Sequence, residues 1–120
     1  MAKSVKDIAK NTYIDMEMED GQVLKLTLTF IALLQLKRKH PEQYQDYGRI
    51  MSKGPQDEFD TLTVLYTGYL CGLMMENGDT DGCMDYEEFL SITTPDREYI
   101  GKLAKALMNP KKATASADRS

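Results

Sequence analysis

Between residues 77 and 88 the chain spaces oxygen-bearing side chains as a calcium loop would. Asn77, Asp79 and Asp81 alternate, Gly82 follows, and Cys83 (through its carbonyl), Asp85 and Glu88 complete the set. A helix–loop–helix calcium site takes ligands from positions 1, 3, 5, 7, 9 and 12, with glycine at 6 for the turn. Hard carboxylate and carbonyl oxygens at that spacing let a short chain wrap one cation, and the local match to an EF-hand loop is close. The flanks depart from the pattern. Asn77 stands where an aspartate is expected, Glu76 where the incoming helix buries an apolar residue, and Pro95 cuts the outgoing helix short. The chain has no second loop of this kind to brace the first. The same letters also spell a link between two helices. Asp85 with Glu88 forms a capping box, and Asn77-Gly78 and Asp81-Gly82 are turn pairs. We take the capped link, with no cofactor, as the expectation and calcium as the alternative. Asp79 is the one loop residue to which the capped link assigns no role.

Other chemistry is sparse. His40, the sole histidine, precedes Pro41 at a helix junction, which suits a solvated cap better than a general base. Cys71 and Cys83 have no histidine or cation beside them in sequence to activate a thiolate. No glycine-rich loop joins a strand to a helix in the manner of a phosphate cradle. The run Lys37-Arg38-Lys39 ends a helix, where cations complement the dipole. The expectation is a protein that is not an enzyme.

The elements around the loop read from periodicity. Ile14, Met16 and Met18 alternate with Asp15 and Glu17, Asp20-Gly21 marks a tight turn, and Leu24, Leu26 and Leu28 alternate with Lys25 and Thr27. These runs predict a β-hairpin over about residues 11–28, with one apolar face that helices must cover. Helices are expected over about 29–108. Thr29 caps the first, from Phe30 to about Lys39, with Phe30, Ile31, Leu33, Leu34 and Leu36 mostly buried. Pro41 opens the second, closed by Gly54-Pro55. The third runs from Gln56 to about Met75 and carries apolar residues on two faces, as a central helix does. Gly68 and Gly72 share one side of it, which implies close backbone approach. A short helix follows from Tyr86 to Thr93, and a last one opens at Thr94-Pro95-Asp96, with threonine as cap, and ends at Asn109-Pro110. Residues 111–120, polar and poor in apolar side chains, are expected to form a disordered, flexible tail. The fold class is therefore α+β: an N-terminal hairpin on a bundle of about five helices, one domain over residues 1–110.

A chain of 120 residues suits one domain. Its net charge of −4 gives no footprint for nucleic acid, and no apolar run is long enough for a bilayer. The start lacks the apolar core of a signal peptide, so reduced thiols and a cytoplasmic setting are expected. Eight methionines and seven tyrosines supply adaptable and amphipathic contact surface. Tyr44, Tyr47, Ile50 and Met51, on the second helix, form the candidate partner-binding stripe. The hairpin edge offers a route to a homo-oligomer.

The helical text as a whole carries a family resemblance. Ala32-Leu-Leu-Gln-Leu-Lys-Arg-Lys-His-Pro41 is followed by the long helix with Val64-Leu-Tyr-Thr-Gly-Tyr-Leu70. Then come Met84-Asp-Tyr-Glu-Glu-Phe-Leu90, Asp96-Arg-Glu-Tyr-Ile-Gly101 and Asn109-Pro-Lys-Lys112. Over roughly residues 10–112 this resembles the tail assembly chaperones of tailed bacteriophages, in the versions from phages and prophages of Gram-positive bacteria. The resemblance implies a small α+β protein of the host cytoplasm, absent from the mature virion. It implies binding to the tape measure protein and recruitment of tail tube subunits, with no membrane or nucleic-acid partner. It also implies a longer, frameshifted product, for which adenine-rich codons at Lys111-Lys112 would be a slippage site.

Overall fold

The computed structural model describes residues 13–109. Strands β1 (Ile14–Glu17) and β2 (Val23–Leu26) are followed by helices α1 (Phe30–Lys39), α2 (Pro41–Lys53), α3 (Glu58–Asn77), α4 (Tyr86–Ile92) and α5 (Arg97–Met108). The α+β class expected from sequence is what the described residues form. The expected tail at 111–120, the Lys111-Lys112 pair and the first two residues of the expected hairpin lie outside them. Among the described residues no helix is long and apolar enough to cross a membrane.

The hairpin pairs antiparallel, Ile14 with Leu26 and Met16 with Leu24, and Gly21 at φ 90° turns the chain. Met16, Leu24 and Leu26 are buried beneath it. Alternation stops at Leu26, earlier than expected. Thr27, expected on the outer face, is buried because its amide turns away from the sheet and donates to the Gly68 carbonyl at 3.2 Å. A Cβ at Gly72 would overlap the Lys25 carbonyl oxygen, and one at Gly68 would stand 2.8 Å from Leu107 Cδ2. Gly72 therefore lets strand backbone lie directly on helix backbone, and Gly68 makes room for the Leu26 and Leu107 side chains. This contact covers the outer edge of β2. On β1 the outward Glu17 amide donates to the Tyr99 hydroxyl at 2.9 Å. The hairpin therefore offers a second copy less free edge than the sequence suggested.

Helix α3 is the hub, buried without interruption from Val64 to Gly72. It starts and ends two residues later than expected. The Asp57 side chain accepts from the Asp60 amide at its start, and Gly78 closes it in the left-handed conformation. The start of α5 also moves. Its cap is Asp96, which accepts from the Glu98 and Tyr99 amides, so Thr94 and Pro95 stay outside the helix.

Burial inside this bundle couples stability to alkaline pH. Cys71, fully enclosed, has its thiol pushed from 9.0 up to about 12 by loss of solvent. Burial also raises the Tyr66 and Tyr69 hydroxyls. Groups held neutral by the fold ionise first in the unfolded chain. Their stabilisation is complete below about pH 9 and drains away as pH rises toward 12. The urea midpoint is expected to fall between pH 8 and pH 11, and a flat profile would contradict this burial. In the native protein at pH 8, a thiol reagent is expected to titrate Cys83 and leave Cys71 untouched until denaturant is added.

Candidate functional site

The acidic loop is built as a link. Asp85 caps α4 by accepting from the Glu88 amide at 2.8 Å, and Glu88 returns the contact to the Asp85 amide at 3.0 Å. Asp79, without a role in the sequence reading, accepts from the Asp81 amide at 3.1 Å and so closes an Asx turn. Asn77 ends α3, and the Cys83 amide donates to the Thr80 carbonyl at 3.1 Å. The loop is also fastened to the body. Lys39 donates to the Gly78 carbonyl at 3.0 Å, His40 Nε2 lies 2.8 Å from Thr80 Oγ1, and Tyr66 donates to the Met84 carbonyl at 2.8 Å. His40 is thus half-buried and tied to this loop rather than standing free as a solvated cap. Among the described residues no three His, Cys, Asp or Glu side chains come together as a metal-holding group.

These geometries separate the capped link from the calcium reading by experiment. Asp85→Ala is expected to cost about 1 kcal/mol through the lost cap. Asp81→Ala, whose side chain caps nothing, is expected to stay within about 0.5 kcal/mol. Calcium titration by calorimetry is expected to give no saturable heat. A saturable response lost in Asp81→Ala and Glu88→Ala would establish the metal site instead.

The candidate partner surface lies on the other end of α1 and α2. Helix α1 was expected to bury Phe30, Ile31 and Leu34, and it does not. Phe30 is 91% exposed, Ile31 40% and Leu34 41%, while Ala32, Leu33 and Leu36 face the core. Helix α1 sits at the margin of the bundle, so only one of its two apolar sides is covered. The four stripe residues of α2 also divide. Ile50 is completely buried and offers nothing to a partner, because it is the α2 residue that points into the core. Met51 is exposed, and Tyr44 and Tyr47 are half-buried with rings 6.3 Å apart. Tyr47 and Met51 meet Phe30, Leu28, Leu107 and Met108 around a groove of about 300 Å³. Burial raises the Tyr47 hydroxyl pKa, as expected for a ring set into that wall. At the far end of the face, Lys37 stands 5.6 Å over the Tyr44 ring.

A larger recess, about 430 Å³, lies between α3, α4 and α5, with Phe59, Leu62, Leu90, Pro95 and Ile100 on its walls. The Arg97–Glu58 ion pair at 2.7 Å crosses its rim. Of its walls only Phe59, 53% exposed, stands out as a large exposed apolar side chain, against three on α1. Sequence reasoning missed Phe30, Ile31 and Leu34 as surface residues. Spacing groups Ile31 with Leu34 and Leu33 with Leu36 on different sides of the helix, but it does not say which side a neighbour covers.

Together these elements define a small α+β body with an apolar face along two helices. No family model, no curated protein and no solved structure matches the chain.

Proposed function

We propose that the chain is a non-enzymatic tail assembly chaperone of a tailed phage or prophage. It acts in the cytoplasm of the bacterial host and is absent from the finished virion. It binds the tape measure protein and recruits tail tube subunits while the tail polymerises. The observation that supports this reading is the apolar face formed by Phe30, Ile31 and Leu34 beside the Tyr47–Met51 groove. Contiguous exposed apolar surface on a small protein marks a site of protein contact. A ridge beside a groove is the form that receives an amphipathic helix, the structure expected of a long tape measure protein. The residue pattern of the long helix and the acidic short helix supplies the choice of family. Disrupting the gene should leave filled capsids without tails, and normal tails in its absence would contradict the reading. The gene should also lie between those of the major tail protein and a very long tape measure protein.

A further inference from the structure

On the α1–α2 face, helical spacing sets Arg38 on the side of Ile31 and Leu34, one turn past Leu34, and Lys37 on the side of Phe30, two turns further along. Phe30, Ile31, Leu34, Lys37 and Arg38 are all exposed, and no carboxylate shares their side of α1. Arg38 has no ion-pair partner among the described residues. The acids of the neighbouring helix, Glu42 and Asp46, fall on the side of α2 away from Tyr44 and Met51 by the same spacing. In a protein of net charge −4, this face is apolar and basic.

Gly48 is a second, independent observation. It lies within α2, four residues after Tyr44 and three before Met51, and so on the same side. A glycine inside a helix is destabilising relative to alanine. At Gly68 and Gly72 the fold supplies a reason, but a Cβ at Gly48, like one at Gly101 in α5, would meet nothing within 4 Å; of these two open helical glycines only Gly48 lies on the apolar, basic face. None of the described residues packs where that side chain would stand. A partner backbone crossing α2 at that point would pack there.

Resting on the chaperone reading, we propose that this face binds an acidic amphipathic helix of the partner. The partner's apolar stripe lies on Phe30, Ile31 and Leu34, its carboxylates meet Lys37 and Arg38, and its backbone crosses close to Gly48. Charge selects this occupant over the other candidates. A second copy docked through the same face gains no ion pair, because the first turn of α1 holds no acid and its last turn holds three cations. Residues 1–12 carry Lys3, Lys6 and Lys10 against Asp7 alone, so like charge opposes their lying there. Residues 110–120 contain no large apolar side chain.

The test uses the full chain and two synthetic amphipathic peptides. One carries a leucine stripe flanked by glutamates, and the other is its copy with lysines for the glutamates. Titration is expected to show the acidic peptide binding at least about tenfold more tightly than the lysine copy. Arg38→Glu is expected to weaken the acidic peptide and strengthen the lysine copy. Gly48→Leu is expected to raise the thermal midpoint by about 3 °C, since the helix gains propensity, while abolishing peptide binding. Equal affinity for both peptides, no binding of either, or binding indifferent to Arg38→Glu and Gly48→Leu would overturn the proposal. The same variants are then tried against the purified tape measure protein. Binding that survives them overturns this surface and leaves the chaperone reading standing. If the peptides behave as expected and the tape measure protein does not bind, the chaperone reading falls and the surface stands.

Discussion

Gly72→Ala is expected to destabilise the protein by about 3 kcal/mol. The added Cβ has no side chain to push aside. It would meet the main-chain carbonyl of Lys25, which is held by strand pairing with β1. Relief requires the hairpin to lift from α3, and that would uncover Met16 and Leu26, both fully buried. The helix-propensity gain from glycine to alanine, about 1 kcal/mol, offsets only part of this. Gly68→Ala is the internal comparison. Its nearest neighbour is the tip of Leu107, which can rotate, so about 1 kcal/mol is expected there. Urea unfolding of the two variants measures the difference. Equal costs would mean that the hairpin does not rest on α3 through Gly72.

Phe89→Ala is expected to cost about 3–5 kcal/mol, the range for emptying a buried aromatic site. Phe89 is fully enclosed, edge-on to Tyr66 at 5.3 Å and stacked on Tyr69 at 6.0 Å. Those two tyrosines in turn hold Met84 from both sides: the Tyr66 hydroxyl donates to its carbonyl and the Tyr69 hydroxyl accepts from its amide. Helix α4 has only seven residues, too few to persist by itself. It is kept by its capping box and by this ring cluster. The loss should therefore show as accelerated amide exchange through residues 78–93 as well as a lower unfolding midpoint. A small effect confined to the midpoint would mean that α4 is held by other contacts.

The hairpin was legible in the sequence because alternation and Asp20-Gly21 act locally. So was the contact at Gly68 and Gly72, since two glycines one helical turn apart inside a long helix cost stability without a tertiary reason. The outer face of α1 was not legible. Its apolar residues surround the helix, and propensity cannot say which side a neighbour will cover. That depends on where β2 and α2 place α1 at the margin of the bundle. Ile50 was misassigned for the mirror reason: it is adjacent to Met51 in sequence, yet 100° away around the helix, and that turn carries it into the core. Thr94 lost its capping role to Asp96 because both can cap and only the carboxylate reaches two amides. Asp79 closes an Asx turn that the sequence reading overlooked. An aspartate two residues before a turn amide can close that turn itself, and that local signal was present.

The most direct test of the proposed function is co-expression of this chain with the tape measure protein that this function requires in the neighbouring gene, followed by size-exclusion chromatography in calcium and again in chelator. The expected result is one co-eluting complex, unchanged between the two conditions and lost on replacing Phe30 and Leu34 with serine. A tape measure protein that elutes alone, or a complex that forms only with calcium, would contradict it.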